Sequence, residues 1–289
     1  MADPLIKSKL SQGDFFQAPG AYDMLTALLA KRAGFECLYA PGYWMVASCL
    51  GLPDVGIATY TEMLERVTRL VDVTQAPVIA DADTGYGGLI NVRHTVRGYE
   101  RAGITGIQIE DQEFPKKCGH TPGKRLVSVD AMLDRLKVAL DTRTDENLLV
   151  IGRTDARQVL GFDATMERAH GFAETGVDMI FLEGLESEEE MRDACQQLST
   201  PIMLNMVEGG LTPLVPAARL KAMGVACAIY PAMCALSAMA SIDHALHYLK
   251  DEGTSPDPAQ PIFEFKQTWD LLGFDDIWEF EARWAKDNS

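Results

Sequence analysis

GIQIED, residues 106–111, is an apolar run of strand length that ends in two acids and precedes a segment of helical periodicity. Seven other runs rich in β-branched residues recur in the same way, which is the signature of parallel βα units. The predicted strands are Phe15–Ala18, Cys37–Ala40, Pro77–Asp81, Gly106–Glu110, Leu148–Arg153, Met179–Glu183, Pro201–Asn205 and Ala226–Tyr230. Eight such units predict an α/β fold, a (β/α)8 TIM barrel with its helices outside the sheet.

The segments between these runs predict amphipathic helices that pack on the barrel. One apolar face follows the capping residue Ser128 and consists of Met132, Leu133, Leu136 and Leu140. Another apolar face consists of Tyr22, Leu25, Leu28 and Leu29. Turn signals before the next strands predict helix ends with positive φ at Gly34, Gly103, Gly176 and Gly224.

The charge of the chain excludes some classes of partner. Lys and Arg number 26 against 42 Asp and Glu, a net charge of −16, which would repel nucleic acid and an anionic membrane surface. No apolar run reaches the roughly 20 residues of a membrane span, and the N-terminus lacks the apolar core of a secretory signal. The six cysteines are widely spaced without a CxxC pair. We therefore expect a cytoplasmic protein that binds a small molecule.

The C-terminal segment is more apolar than a solvated tail. Residues 256–289 contain four phenylalanines and three tryptophans. We therefore divide the chain into a catalytic barrel, residues 1–255, and a helical extension, residues 256–289, that packs on the barrel or on a neighbouring subunit.

Acidic side chains follow several predicted strands where a TIM barrel carries its active site. Asp81 and Asp83 follow the third strand, Glu110 the fourth and Glu183 the sixth. Converging carboxylates repel one another unless a cation neutralises them, and hard oxygen ligands favour Mg²⁺, with Mn²⁺ as the alternative. The competing interpretation is that Asp81 and Asp83 cap a helix or accept backbone amides of the loop that follows.

The loop EFPKKCGH, residues 113–120, is the second concentration of chemistry. Cations adjacent to Cys118 predict a lowered thiol pKa, and the glycines at 119 and 123 predict a lid that folds over a ligand. An exposed basic loop with an incidental thiol is the alternative. Arg153, at the end of the fifth strand, suits a bidentate carboxylate contact, but a structural ion pair with Glu183 or Asp155 would look the same.

Four segments in this order resemble the isocitrate lyase and phosphoenolpyruvate mutase superfamily, from about residue 17 to residue 253. They are LGLPD at 50–54, DADTGYG at 81–87, EDQ at 110–112 continuing into KKCGH at 116–120, and RTDAR at 153–157. The KKCGH loop is characteristic of the lyase branch.

The resemblance implies roles for individual residues. Asp81 and Asp83 would hold Mg²⁺ directly or through water, with Glu110 behind them. Catalysis would fall to Cys118 and Lys116, with Tyr39 or Tyr43 assisting deprotonation of a hydroxyl. The substrate contacts it implies are Pro41, Gly42, Tyr43, Asp54, Gly119, His120, Arg153, Glu183, Asn205 and Pro231.

The substrate is argued from departures within this resemblance. Methylisocitrate lyases carry a Ser-Gly-Gly turn where this chain has Pro41-Gly42-Tyr43, and an arginine where it has Leu236. A third carboxylate would lack its partner, which disfavours tricarboxylates. Pro231 stands where oxaloacetate-hydrolysing members use a hydroxyl residue. We therefore predict cleavage of a 2-alkylmalate, such as 2,3-dimethylmalate, to an α-keto acid such as pyruvate and a short carboxylate.

Other functions remain open at this point. The first alternative is a carboxyphosphonoenolpyruvate-type phosphonomutase, followed by a methylisocitrate lyase or an oxaloacetate-cleaving enzyme. A barrel that binds a metabolite without catalysis is a different class, against which the intact acids, Arg153 and Cys118 speak. The resemblance also implies a homotetramer, a dimer of dimers that exchange C-terminal helices.

Overall fold

The structure, a computed structural model, describes residues 1–255 and 257–285. Its strands, each within one residue of the predicted bounds, are β1 (Phe16–Pro19), β2 (Leu38–Ala40), β3 (Val78–Asp81), β4 (Gly106–Glu110), β5 (Leu149–Thr154), β6 (Met179–Leu182), β7 (Ile202–Asn205) and β8 (Cys227–Tyr230). The eight strands form one parallel sheet in the order β1-β8-β7-β6-β5-β4-β3-β2. An isolated parallel bridge between Gly20 and Tyr39 joins its two edges. The predicted (β/α)8 barrel is confirmed.

Alternation along the strands separates the inside of the barrel from its outside. In β5, Leu149 and Ile151 belong to the interior cluster, whereas Val150 belongs to the outer core. Ile6, in the first helix, joins the interior cluster together with Cys37 and Cys227. The interior is therefore packed with side chains, and the free polar space lies at the carboxyl ends of the strands.

Helices follow the strands as the sequence predicts. Their bounds are α1 (Leu5–Gln12), α2 (Met24–Arg32), α3 (Gly42–Leu50), α4 (Tyr60–Thr74), α5 (Leu89–Arg101), α6 (Val129–Thr142), α7 (Ala156–Leu160), α8 (Phe162–Glu174), α9 (Glu188–Gln197), α10 (Ala217–Met223), α11 (Met233–Glu252), α12 (Phe265–Leu272) and α13 (Phe274–Trp284). The glycines at 34, 103, 176 and 224 have positive φ, as predicted. Within the described residues, no helix is long and apolar enough to cross a membrane.

Of the two predicted apolar helix faces, the structure confirms the one on α6 and contradicts the one on α2. Ser128 caps α6 by accepting a hydrogen bond from the Ala131 amide, and Met132 and Leu136 are buried. The face predicted for α2 is wrong, because Leu25 is 55% exposed and Leu29 is 40% exposed. Ala27 and Ala30 are the buried residues of α2, so its small side chains, rather than its large ones, face the protein core.

The chain divides into two compact units, Met1–Ala235 and Leu236–Ser289. The first contains all eight strands. The predicted extension, residues 256–289, falls within the second unit, except that Pro256 and residues 286–289 lie outside the described residues. Where this extension docks stays a prediction.

Candidate active site

Polar side chains gather at the carboxyl ends of the strands. Asp81 ends β3, Glu110 ends β4 and Asn205 ends β7, while Arg153 lies near the end of β5 and Glu183 directly follows β6. Each is buried, with at most 6% of its surface exposed. The structure therefore brings together the acids, the arginine and the asparagine that the sequence singled out.

The Asp81-Ala82-Asp83 turn is held by its own backbone. Asp81 Oδ1 accepts a hydrogen bond of 2.9 Å from the Asp83 amide. Asp83 itself has a φ of +49°, in the left-handed region that non-glycine residues adopt rarely. Asp81 thus retains one oxygen for other partners, and the turn directs the Asp83 carboxylate to Lys116.

Lys116 places its side-chain ammonium among these carboxylates. Its Nζ lies 2.6 Å from both oxygens of Asp54 and 2.7 Å from Asp83 Oδ1. Lys116 is only 2% exposed, although it belongs to a loop. The ammonium partly neutralises the cluster, and burial strengthens this attraction relative to a surface pair.

Two of the acids still have raised pKa values, as expected of converging carboxylates. Burial raises the pKa of Asp83 to about 6; Lys116 opposes this shift, while Asp81 and Asp54 add to it. Burial also raises the pKa of Glu110 well above its usual value, against the effect of Arg153. Glu110 Oε1 is buried without a hydrogen-bond partner. Burial therefore disfavours the charged form of both carboxylates, despite the neighbouring cations.

Arg153 is surrounded by carboxylates. Its Nε and Nη2 each lie 3.1 Å from an oxygen of Asp155, Nε lies 3.3 Å from Glu110, and Nη2 lies 3.3 Å from Glu183. The guanidinium carbon lies 5.0 Å from the centre of the Phe181 ring. The ion pairs with Asp155 and Glu183 are therefore present, and they fix the guanidinium plane at the mouth of the barrel.

A second layer supports Arg153, and sequence reasoning missed it. Asp111 accepts hydrogen bonds from the Thr154 hydroxyl at 2.7 Å, from the Asp155 amide at 3.0 Å and from Arg168 at 3.1 Å. Arg168 lies in α8, far from the site in sequence. The only signal in the sequence was the polar pair at 154 and 155 directly after the arginine.

The cysteine loop is anchored at both sides of its tip. A short antiparallel bridge joins Gln112 to Leu126, and the Gln112 side chain binds the backbone N–H and C=O of Lys117, each at 2.8 Å. Lys124, also missed in the sequence, donates to the Gly119 carbonyl and lies 3.5 Å from Asp155 Oδ1. The loop therefore covers the mouth, which fits a lid rather than an exposed basic loop.

The predicted lowering of the Cys118 pKa is wrong. Burial raises the pKa of the thiol; the hydrogen bond at the His120 backbone and the charge of Arg153 only partly oppose this. The physical reason is that the Lys116 ammonium turns away to Asp54 and Asp83. Cys118 is therefore a neutral thiol near neutral pH, a state that donates a proton.

Gly119 and His120, at the tip of the loop, lie next to Arg153, Glu183 and Asn205. A Cβ built on Gly119 would lie 2.4 Å from Arg153 Nη2 and 2.8 Å from Glu183, so only glycine fits there. His120 Nε2 lies 3.2 Å from Asn205 Nδ2, and Asn205 in turn lies 3.1 Å from a Glu183 oxygen. Asn205 Oδ1 is buried without a hydrogen-bond partner, so it is free to bind a substrate group.

The remaining predicted residues differ in their burial and in their contacts with the buried carboxylates. Gly42 is buried, and a Cβ there would lie 2.8 Å from Asp81 Oδ2; Pro41 precedes it as the cap of α3. Tyr39 is 3% exposed and donates a hydrogen bond of 3.1 Å to Gln108. Tyr43 is 38% exposed and packs edge-on against Trp44.

Pro231 follows β8, and its backbone lies within 2.8 Å of the position that a Cβ on Gly20 would occupy. Contact of Pro231 and Tyr43 with substrate stays a prediction.

Comparison with known proteins identifies the family. The family described as phosphoenolpyruvate phosphomutase matches residues 6–250. The chain belongs to this family. The 2,3-dimethylmalate lyase of Eubacterium barkeri is 41% identical over 280 residues, 97% of each protein. The 2-methylisocitrate lyase of Aeropyrum pernix is 38% identical over 278 residues, 96% of this chain and 89% of the relative.

A solved structure matches the whole chain. The complex of oxaloacetate acetylhydrolase with 3,3-difluorooxalacetate superposes with a TM-score of 0.92 at 35% identity, covering 100% of this chain and 98% of that one. The predicted superfamily is confirmed, and so is the predicted class of enzyme, a carbon-carbon lyase.

Proposed function

We propose that this enzyme is a magnesium-dependent lyase that cleaves a 2-alkylmalate, such as 2,3-dimethylmalate, to an α-keto acid and a short carboxylate. The observation that carries the proposal is the complete KKCGH loop, which positions a neutral thiol, a buried lysine and Gly119 over Arg153 and Glu183. The similarity to a dimethylmalate lyase over nearly all of both chains supports the choice of substrate.

The donor chemistry at the mouth fits a hard divalent cation. Within residues 1–255 and 257–285, no three His, Cys, Asp or Glu side chains converge as a ready ligand set. However, Glu110 Oε1 is buried without a hydrogen-bond partner, and Asp83 and Glu110 have raised pKa values that an added positive charge would lower. Magnesium often takes few protein carboxylates and completes its octahedron with water and substrate oxygens.

Asp81 and Asp83 would hold this cation, with Glu110 and Asp54 binding through water. When bound, it would supply positive charge that polarises the α-oxycarboxylate. Manganese would serve in the same oxygen set.

The protein's own residues position the substrate and move its protons. Arg153 binds a carboxylate and stabilises the anion that forms as the carbon-carbon bond breaks. Asn205 Oδ1 and His120 orient the other end of the dicarboxylate. Tyr39 acts as a hydrogen-bond donor rather than a base, because burial raises its pKa well above the usual value and keeps it a phenol.

Cys118 completes the reaction as the acid. Cleavage converts the substrate hydroxyl to the keto group, and the hydroxyl proton passes to a carboxylate of the mouth. The other product is a carboxylate whose α-carbon carries the electrons of the broken bond, and this carbon must gain a proton. The half-buried thiol holds that proton at neutral pH because its pKa is raised. The loop also excludes water, which would otherwise compete as a proton donor.

A second candidate is an oxaloacetate-cleaving enzyme, which the TM-score of 0.92 to oxaloacetate acetylhydrolase favours. Pro231 argues against it, since this position lacks the hydroxyl that the resemblance associates with hydrolysis. A methylisocitrate lyase and a phosphonomutase remain further alternatives, and the same assay separates them.

The test is a panel of substrates: 2,3-dimethylmalate, 2-methylmalate, oxaloacetate, isocitrate and 2-methylisocitrate, each with magnesium and with EDTA. Lactate dehydrogenase reports pyruvate, and loss of substrate reports oxaloacetate turnover. We expect turnover of an alkylmalate that EDTA abolishes. Turnover of a tricarboxylate would contradict the argument from Leu236. No turnover of any compound in the panel would favour a phosphonomutase, whose activity phosphorus NMR on candidate phosphonates detects.

We further propose a cytoplasmic homotetramer built from helix-swapped dimers. The location is supported by the six cysteines, all of which are free thiols. The assembly is supported by the exposed aromatic surface of α12 and α13.

A further inference from the structure

We infer that Lys124 is a positioning residue that holds the cysteine loop closed by tying the Gly119 carbonyl to the Asp155-Arg153 pair. The inference rests on the proposed function only where it concerns turnover. Neither the sequence motif nor the predicted site contains Lys124.

The contacts of Lys124 explain why it has this role. Its side chain is 2% exposed, and Nζ donates to the Gly119 carbonyl and pairs with Asp155 at 3.5 Å. A buried ammonium without partners is strongly unfavourable, so both contacts contribute to the closed state. Asp155 belongs to the barrel, whereas Gly119 belongs to the loop tip. Lys124 lies in the same loop, so opening the loop would break at least one of these two contacts.

The position of Gly119 makes this tie matter for chemistry. Gly119 lies directly against Arg153 Nη2 and Glu183, and it follows Cys118 in the chain. Asp155 also holds Arg153 through two hydrogen bonds of 3.1 Å. One carboxylate therefore orients the substrate-binding arginine and anchors the loop that carries the proton donor.

Alkylation of Cys118 tests the inference without any substrate. We would measure iodoacetamide labelling of Cys118 and of exposed Cys49 by peptide mass spectrometry over a range of pH, in wild type, Lys124→Met and the control Lys137→Met. Lys137 is an exposed lysine on α6. We expect Lys124→Met to accelerate Cys118 labelling roughly ten- to hundredfold, as loss of a charged hydrogen bond shifts an opening equilibrium.

The controls separate opening from other effects. Cys49 labelling and the Lys137→Met variant should match wild type, and the limiting rate of Cys118 labelling at high pH should rise in Lys124→Met. Unchanged Cys118 labelling in folded Lys124→Met would overturn the inference. A shifted midpoint at an unchanged limiting rate would also overturn it, because Lys124 would then act on the thiol charge alone.

A second variant covers the risk of misfolding. Lys124→Gln retains a donor for the Gly119 carbonyl without the charge, and we expect it to label more slowly than Lys124→Met but faster than wild type. Unfolding of both variants, seen by circular dichroism, would assign Lys124 to folding and overturn the inference.

Turnover gives an independent measurement. If wild type cleaves 2,3-dimethylmalate, we expect Lys124→Met to lower kcat about tenfold with a smaller change in KM, because closure follows binding. A wild type that is inactive on the substrate panel would contradict the proposed function but would leave the labelling result interpretable.

Discussion

At the scale of single residues, the mouth of the barrel is an arrangement of charges that offset one another. Lys116 pairs with Asp54 and Asp83, and Arg153 pairs with Asp155 and Glu183. The half-buried Cys118 thiol beside this arrangement has a raised pKa and stays protonated near neutral pH. In the proposed mechanism, the arginine therefore binds the anion and Cys118 donates the proton.

Substitution of Cys118 by serine tests its role as the acid. The hydroxyl occupies the same place but is a far weaker acid, so we expect kcat to fall by roughly two to four orders of magnitude. Binding of magnesium, followed as a thermal shift, should be unchanged because the carboxylate cluster is intact. Full turnover in Cys118→Ser would exclude this residue as the proton donor.

The raised thiol pKa also predicts how activity depends on pH. Proton donation requires the neutral thiol, so kcat should stay level through neutral pH and fall as the pH rises through the Cys118 pKa. That fall should occur above the usual range of a free cysteine, because burial raises the pKa. A pH profile of kcat measures it, and a fall near neutral pH would contradict the assignment.

Asp83 predicts a pH limit for the cation. Its pKa in the cation-free protein is about 6, above the usual value for aspartate, so folding without a cation becomes less favourable as the pH rises through this range. Cation binding requires the ionised carboxylate. We therefore expect magnesium to increase the Tm of the protein at pH values well above 6, and to have little effect on Tm at pH values below 6.

Differential scanning fluorimetry with and without magnesium chloride measures this dependence. Asp83→Asn serves as the matched control and should show little magnesium-induced shift at any pH. A stabilisation that persists unchanged well below pH 6 would contradict the role of Asp83.

At the scale of elements, the sequence predicted what depends on local patterns. The strands were found because buried parallel strands are continuous apolar runs, and the helix ends because a glycine with positive φ ends a helix. The face of α2 was not predicted correctly, since burying Ala27 rather than Leu25 depends on how closely a helix approaches its neighbours.

In the candidate site, too, residues that depend on local sequence patterns were predictable, whereas residues that depend on distant contacts were not. The acids and Arg153 were predictable because strand ends meet at one mouth. Lys124 and Arg168 were not, because each acts through a partner distant in the chain, Asp155 and Asp111 respectively. The thiol pKa was mispredicted because sequence proximity to Lys116 says nothing about where the ammonium points.

The close contacts of Gly119 in the closed loop allow us to predict the effect of adding one methyl group at this position. Gly119→Ala would place a Cβ 2.4 Å from Arg153 Nη2 and 2.8 Å from Glu183, so the loop should no longer reach its closed position. We expect kcat to fall at least about tenfold while Tm changes little, since the loop contributes few buried apolar contacts.

Gly171→Ala in α8 is the matched control. Its Cβ would make ordinary contact at 3.5 Å with Leu133, and alanine favours a helix, so activity should match wild type. Equal kcat for Gly119→Ala and wild type would show that the loop works without closing on Arg153.

At the scale of the whole molecule, a strongly acidic chain carries an apolar surface. The net charge of −16 opposes nonspecific association, yet Phe265, Phe280 and Trp284 are 76%, 64% and 67% exposed. Apolar side chains grouped in this way typically mark a binding surface. The proposed assembly through the C-terminal helices would bury them.

Sedimentation equilibrium tests this assembly. We expect wild type to have a multiple of the 31.7 kDa chain mass, with a tetramer as the proposed species. Phe280→Asp on α13 should shift the distribution to lower mass, because burying an unpaired carboxylate in an apolar interface is strongly unfavourable. Glu279→Gln, at a neighbouring exposed position, should leave the mass unchanged. A wild-type monomer would contradict the assembly while leaving the active-site assignment intact, since the residues proposed to bind the cation, bind the substrate or donate the proton belong to the unit Met1–Ala235.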